Sequence, residues 1–349
     1  MARKAGKVSI FTIAAELGIS AATVSRVLNN RTGVGEATRC AVMNLAKKYN
    51  FRLNYPQQHQ PIIATVISGE RGISNYQSQI LTGIYNYFAK HPYRVNTIVA
   101  NPTEDAPSIL ETVREQQCSG VILIQPSHFA SHLEGLSASG LPVMEIDDRS
   151  ELPEIGFIDN DSYAGSVKLT EHLLSLGHRK IAFFMRWSRD LNHVQRLNGY
   201  RDTLLRNGVK PLEKWVVTYD EIVRGSLSDV ARIMFGIQRQ QAPDVTAIVG
   251  VNDDLAIAVM HEALKLGLRI PEQLSIAGFD DHPFCKFVTP ELTTVAHPSI
   301  EAGFLAAKAI AEYISSCGTT PLPRKVLPTH LVVRDSTALP RLGASGGHR

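Results

Sequence analysis

From Ile62 onward the chain alternates short apolar runs with helical stretches, and that alternation leaves few folds open to it. IIATVIS is followed by SQILTGIYNYFAKH, VNTIVA by SILETVREQQ, GVILIQP by SHLEGLSASG, and then comes PVMEID. A second series runs from AGSVKLTEHLLSLG and KIAFFM through VQRLNGYRDTLLRNG, WVVTY, LSDVARIMFGIQR, AIVGVN and DLAIAVMHEALKLG to LSIAGFDD. Apolar strands joined by helices imply parallel sheets covered on both faces. Two such series predict two doubly wound lobes, and open sheets of this kind take ligands beyond the carboxyl ends of their strands. The strand ends here are polar: Asp147 after PVMEI, Asn252 and Asp253 after AIVGV, Asp280 and Asp281 after LSIAGF. That placement predicts a cleft for a polar ligand.

The first sixty residues are different in kind. They hold nine Lys/Arg against two Asp/Glu, a balance of +7 in a chain of net charge +3, so the remainder carries −4. A small basic head on a mildly acidic body is the electrostatic footprint of a nucleic-acid module joined to something else. A solvated basic tail would carry no core, whereas Ile10, Ile13, Leu17, Val24, Val27 and Leu28 supply one. Ser9 predicts the N-cap of a helix running to Leu17. Gly18 suits the left-handed backbone of a tight turn, Ile19 plugs that turn, and Ser20 caps a second helix from Ala21 to Leu28. Two short helices joined this way form a helix-turn-helix, and a third segment, Glu36 to Tyr49, closes the core. On the second helix Ala21, Ala22, Ser25, Arg26 and Asn29 are left facing outward, where a recognition helix meets the major groove.

The run VSIFTIAAELGISAATVSRVLNN, with ATVSRVLN at Ala22–Asn29, resembles the DNA-binding head of the lactose/galactose repressor (LacI/GalR) family. EHLLSLGHRKIAFF, RLNGYRDTL, VGVNDDLAIAVM, GLRIPEQLSIAGFDD, PELTTVAHP and LPTHLVVRDST resemble that family's effector domain, so the likeness spans nearly the whole chain. It implies an all-α helix-turn-helix head plus an α/β, periplasmic-binding-protein-like effector domain of two doubly wound lobes. It further implies that Ala21 and Ala22 set operator preference, that Thr23, Ser25 and Asn29 hold phosphates or help base contacts, and that Arg26 reads a base. Bidentate contact of a guanidinium with a guanine edge fits that role; a phosphate clamp is the alternative for Arg26. In the body, Asp147, Arg196, Asn252 and Asp280 match positions that hydrogen-bond sugar hydroxyls in sugar-binding members, and Tyr76 and His297 match further pocket-lining positions. Carboxylates accept from vicinal hydroxyls while Arg and Asn donate to oxygens.

Expected boundaries are a DNA-binding domain at 1–54, a linker at 55–61, an effector domain at 62–338 and a disordered tail at 339–349. Within the effector domain the N-lobe is expected at about 62–158 and 293–320, the C-lobe at about 159–292 and 321–338. Family members usually place an Ala-Arg-x-Leu hinge helix after the head, but here Arg52 to Pro61 reads RLNYPQQHQP. Pro56 and Pro61 bracket too few residues for a stable helix, which predicts weaker minor-groove wedging; a short hinge that folds only on DNA is the competing reading. A head with one recognition helix reads a half-site, so a homodimer on a pseudo-palindromic double-stranded operator is expected. The tail ALPRLGASGGHR has no heptads and predicts no tetramer.

No apolar run approaches a membrane span, and the N-terminus lacks a signal-peptide h-region, so a cytoplasmic protein is expected. The four cysteines (Cys40, Cys118, Cys285, Cys317) lie far apart without metal or redox spacing. There is no H-E-x-x-H, G-x-S-x-G or phosphate loop, so no catalytic residue, metal or cofactor is expected. His172 and His178 read as structural, and Asp161 as a helix cap. The functional reading is a repressor of a carbohydrate-utilisation operon answering to a sugar-type effector. Two alternatives stay open: a corepressor-dependent or purine-sensing regulator, and a soluble sugar-binding protein with a vestigial head.

Overall fold

The computed structural model describes residues 9–29, 31, 33–49, 51, 60–68, 73–100, 108–126, 130–186, 190–219, 227–241 and 245–340. The expected linker without a hinge helix, at 55–61, lies outside these residues except for Gln60 and Pro61, as does the tail beyond Pro340. Among the described residues, no single helix is long and apolar enough to cross a membrane.

The head is three helices: α1 (Ile10–Leu17), α2 (Ala21–Leu28) and α3 (Glu36–Lys48). Gly18 closes α1 at φ 65°, its N–H returning to Ala14 and Ala15, and the Ser20 hydroxyl accepts the Thr23 N–H at 3.0 Å to start α2. The axes of α1 and α2 turn through 115°, within the range of helix-turn-helix units. Ile13, Ala14, Val24, Val27, Leu28, Val42, Leu45 and Ala46 form the buried core. Glu16 accepts from the Tyr49 hydroxyl and pairs with Lys48 at 3.2 Å, tying α1 to the end of α3.

By internal contacts the chain divides into two units, 1–159 with 299–325 and 160–298 with 326–349, so it passes between them at 159/160, 298/299 and 325/326. Unit 1 carries β1 (Ile62–Ser68), α4 (Asn75–Phe88), β2 (Arg94–Ala100), α5 (Ile109–Glu115), β3 (Cys118–Ile124), α6 (Ala130–Ser137), β4 (Val143–Ile146) and β5 (Gly156–Asn160), the last ending in unit 2. Its sheet has the order β11-β5-β4-β3-β1-β2, with β11 at Arg324–Leu327. The pairs β2/β1, β1/β3, β3/β4 and β4/β5 are parallel. Strand order reverses between β1 and β3, which makes that junction the topological switch point. α11 (Ser299–Ser315) crosses α4 at backbone contact, because Gly83 faces the Ile300 carbonyl and Gly303 faces that of Ile80.

Unit 2 repeats the scheme. It holds α7 (Ser162–Ser175), β6 (Ile181–Arg186), α8 (Leu191–Arg206), β7 (Val216–Tyr219), α9 (Leu227–Gln241), β8 (Ala247–Gly250), α10 (Asp253–Lys265) and β9 (Ser275–Ala277). The sheet order is β7-β6-β8-β9, all parallel, with its switch point between β6 and β8. β10 (Thr294–Ala296) pairs antiparallel with β12 (His330–Val332), so the segment around 293–298 belongs with unit 2. Phe183, Phe184, Tyr200, Phe235 and Phe279 sit in its buried core.

His178 ties the end of unit 2 to its sheet: its ring nitrogens face Thr246 at 2.9 Å, Ser275 at 3.1 Å and the Ala338 carbonyl at 2.9 Å. Burial pushes its pKa below 6.5, so the native state prefers the neutral ring. Its contribution to stability is therefore complete above about pH 6.5 and is lost as pH falls through the depressed native value. Thermal melts of wild type and His178→Gln from pH 5 to 8 test this. The gap in Tm is expected to be full above pH 7 and to narrow in acid. The difference between the two proteins isolates His178 from Glu145, whose pKa burial raises to about 7 and whose contribution has the opposite sign.

Candidate DNA interface and effector site

On α2, Ala22 and Arg26 are exposed, as a groove-facing helix requires. Ala21, expected to face outward, is half-buried and packs on the head's core. Thr23 spends its hydroxyl on Ser20 at 2.8 Å. Asn29 donates from Nδ2 to the Ser25 carbonyl at 2.8 Å and to Ser25 Oγ at 3.2 Å. Thr23, Ser25 and Asn29 thus stiffen both ends of the helix, and the exposed, chemically versatile group is the Arg26 guanidinium. Arg26→Ala is expected to weaken specific operator binding by about 1–3 kcal/mol, roughly 5- to 150-fold. Binding to random DNA should change far less; equal losses on both would make Arg26 a phosphate clamp.

In unit 2 the strand ends build a charged cluster at the switch point. Arg196, on α8 after β6, donates from Nη1 to the Val251 carbonyl just beyond β8 at 2.7 Å. It therefore bridges the junction where strand order reverses. Its Nη2 lies 3.1 Å from Asp280 Oδ1, and the guanidinium stands 3.8 Å over the Phe279 ring. His297 Nε2 meets the same Asp280 oxygen at 3.0 Å, with its own side chain only 1% exposed. His297, expected to line the pocket, is buried with its ring nitrogen on Asp280. Burial works against the Asp280 charge, but Arg196 and His297 outweigh it and hold the carboxyl below its ordinary range. Asn252 caps α10, its Oδ1 accepting the Leu255 N–H at 3.0 Å. That cap uses one lone pair of the oxygen and leaves the amide nitrogen as a donor for a ligand.

Asp253 is an internal anchor. It accepts from the His282 N–H at 2.7 Å, from the Cys285 thiol at 3.2 Å and from the Thr294 hydroxyl at 2.6 Å. Burial, and then the charge of Asp280, push its pKa well up. A Cβ at Gly278 would come within 2.2 Å of Asp253 Oδ1, so glycine there lets the carboxylate hold the loop that carries Asp280. Asp190 lies 3.7 Å from Arg186 and 3.6 Å from His193 at the end of β6. Burial and then Arg196 drive the His193 pKa down to about 4.

Unit 1 has its own strand-end cluster. Gln77 Nε2 donates to Gln125 Oε1 at 3.3 Å, and Gln125 Nε2 donates to Asp147 Oδ2 at 3.3 Å. Gln125 follows β3 and Tyr76 lies in the first turn of α4 after β1, so both stand at that sheet's switch point; Tyr76 is half-buried. Asp147 follows β4. Gln125 (φ 55°), Asp147 (φ 72°), Asp280 (φ 120°) and Asp281 (φ 51°) all have left-handed backbones. Each such residue costs about 1–3 kcal/mol and is held only where surroundings over-determine it, and these four gather at the two clusters. Sequence reasoning missed Gln77, Gln125, Phe279, Asp190 and His193; the Gln125-Pro126 step after β3 was the available signal for the second of them. Among the described residues, no group of His, Cys, Asp and Glu is arranged to hold a metal ion.

The fold and these clusters define a class: a helix-turn-helix head joined to a two-unit α/β body built to hold a small polar ligand. Comparison with known proteins agrees. Residues 2–54 match the family described as bacterial regulatory proteins, lacI family, and residues 170–337 match a periplasmic binding protein-like domain. Catabolite control protein A of Priestia megaterium is 26% identical over 340 residues, 95% of this chain and 99% of that protein. The HTH-type transcriptional regulator MalR of Streptomyces coelicolor is 29% identical over 339 residues, 93% of this chain and 95% of that one. A LacI-family regulator structure from Silicibacter pomeroyi superposes with a TM-score of 0.68 at 25% identity, covering 96% of this chain and all of that one. The transcriptional regulator CelR in complex with cellobiose superposes with a TM-score of 0.66 at 24% identity, covering 94% of this chain and 99% of that one. The chain therefore carries a LacI-family helix-turn-helix domain joined to a periplasmic-binding-protein-like domain, and its relatives are transcriptional regulators.

Proposed function

We propose that the protein is a cytoplasmic, non-enzymatic repressor of a carbohydrate-utilisation operon whose grip on DNA is altered by a sugar-type effector. Two copies present two heads to a pseudo-palindromic operator, Arg26 and Ala22 of each reading one half-site. Asp280 accepts from effector hydroxyls while Arg196 and the Asn252 amide donate to effector oxygens; His297 orients Asp280. Asp147 and Tyr76 are the effector contacts of unit 1. The observation that carries this reading is Arg196 bridging β6 and β8 at the switch point with its Nη2 on a strained, charged Asp280. A site of that kind favours vicinal hydroxyls, each able to donate to a carboxylate and accept from a guanidinium. The proteins named above include transcriptional regulators, one of them in complex with cellobiose, which supports the same reading.

A thermal-shift screen with ribose, glucose, maltose, cellobiose, gluconate and their phosphates tests it. A sugar present at a hundred times its Kd stabilises by about 2.7 kcal/mol, a rise of roughly 5–10 °C for a body this size. Asp280→Asn keeps the shape and removes the charge, and is expected to weaken the best sugar about 10- to 100-fold, the value of a charge-assisted hydrogen bond. An unchanged affinity would place the effector elsewhere.

A further inference from the structure

Asp147 opens the loop between β4 and β5, and that loop is tied to both strands on which the chain leaves unit 1, β5 at 159/160 and β11 at 325/326. Arg149, two residues on, pairs through Nε with Asp159 Oδ2. Asp159 is the last residue of unit 1 on β5 and is fully buried, while the Arg149 side chain is 31% exposed. Arg324, the first residue of β11, donates to the carbonyls of Leu152 and Ile155 at 2.8 Å each, and to that of Ser150. Its guanidinium also stands 4.8 Å over Phe157 of β5. From the other side, Glu145 of β4 accepts the Ser150 N–H at 2.7 Å, and Asp148 Oδ1 accepts the Arg149 N–H at 2.8 Å. One short loop therefore has a candidate effector carboxylate at its start and is tied to each crossing strand by a guanidinium, Arg149 of the loop to Asp159 of β5 and Arg324 of β11 to the loop carbonyls.

We infer that Arg149 is a positioning residue that transmits effector contact at Asp147 to the crossing strands β5 and β11, and so couples effector binding to DNA affinity. This rests on the reading of Asp147 as an effector contact. A backbone at φ 72°, fixed two residues later by a guanidinium on a buried carboxylate, cannot adjust at Asp147 without moving Arg149 against Asp159. Packed, hydrogen-bonded elements shift between discrete arrangements and do not deform continuously. An effector that prefers one arrangement of Asp147 thereby biases the strands, and by linkage DNA biases effector affinity equally. Glu145 is not part of the relay: a neutral amide there keeps the Ser150 bond.

The test uses full-length protein, operator DNA obtained by in vitro selection, and as probe the sugar giving the largest thermal shift in the panel above. Probe Kd is measured by calorimetry, and operator Kd by anisotropy with and without saturating probe. Arg149→Gln is expected to leave probe Kd and probe-free operator Kd within about threefold, and to shrink the probe-induced change in operator Kd at least fivefold. Arg149→Lys, which keeps the charge, should recover part of that change, and Glu145→Gln should be silent. If Arg149→Gln does not fold, Asp159→Asn and Arg149→Lys read the same coupling from either end. A full probe-induced change in every Arg149 and Asp159 variant would overturn the inference, while Asp147→Asn weakening the probe would leave the effector reading intact. An unaltered probe Kd in Asp147→Asn would instead overturn the reading of Asp147, and with no panel sugar binding at all the sugar reading itself falls.

Discussion

Arg196→Met is expected to abolish the effector response and to lower the unfolding free energy by about 3 kcal/mol. The side chain is nearly buried and holds three partners at once: the Asp280 carboxylate, the Val251 carbonyl and the Phe279 face. Methionine fills much of the volume but donates nothing. Asp280 is then left with His297 alone in a site that disfavours its charge. Breaking a buried pair from one side costs about 3–5 kcal/mol, because the surviving charge is uncompensated. Asp280 keeps 23% of its side-chain exposure, so the lower end of that range applies. Adding Asp280→Asn to Arg196→Met removes the stranded charge, so the double variant is expected to be more stable than Arg196→Met, and still unable to bind. Urea unfolding of the four proteins, with calorimetric titration of the best sugar, checks both halves. Additive losses in the double variant would mean that the pair does not interact as described.

Gly83→Ala is the second large effect, and it tests the frame of unit 1. A Cβ there would stand 2.0 Å from the Ile300 carbonyl oxygen and 2.8 Å from the Phe304 nitrogen. Both belong to the backbone of α11, which cannot give way as a side-chain tip can. Alanine is the better helix former by roughly 0.5–1 kcal/mol. Overpacking costs about 1–3 kcal/mol and more where the backbone must move, so the steric cost wins. The reciprocal contact of Gly303 with the Ile80 carbonyl means α4 and α11 must separate along their whole crossing. A loss of about 2 kcal/mol or more is expected, a fall in Tm of roughly 4–8 °C. Gly236→Ala in α9 is the internal control: nothing lies within 4 Å of its would-be Cβ, and a small gain is expected.

The head was legible in the sequence almost residue by residue, because its determinants are local. Ser9, Gly18 and Ser20 punctuate the helices through their own caps, and the apolar spacing names the core. The parallel strands of both sheets, β5 apart, were legible for the same reason. β5 is five residues ending in the polar Asp159 and Asn160, and β10, β11 and β12 are short and defined by partners far away in sequence, as β10 is by β12. At the site, the carboxylates were visible as polar strand ends, and Arg196 came with the resemblance to the family. What the sequence could not show was which of these groups are spent on the protein. Asn29 is tied to Ser25, Asn252 caps α10, and His297 is bonded to Asp280. Those assignments depend on which side chains tertiary packing brings within reach, and helical or strand periodicity carries no record of that. The left-handed backbones of Asp147 and Asp280 are likewise imposed by the surrounding loops.

The most direct test of the central claim is fluorescence anisotropy of the full-length protein on selected operator DNA, with and without the best panel sugar, over a series of salt concentrations. The account predicts salt-sensitive binding that prefers the two-fold operator over random DNA. It also predicts a sugar-induced change in operator affinity of about 5- to 150-fold, the usual range of such coupling. Equal affinity for operator and random DNA, or operator binding that no saturating sugar alters, would contradict it.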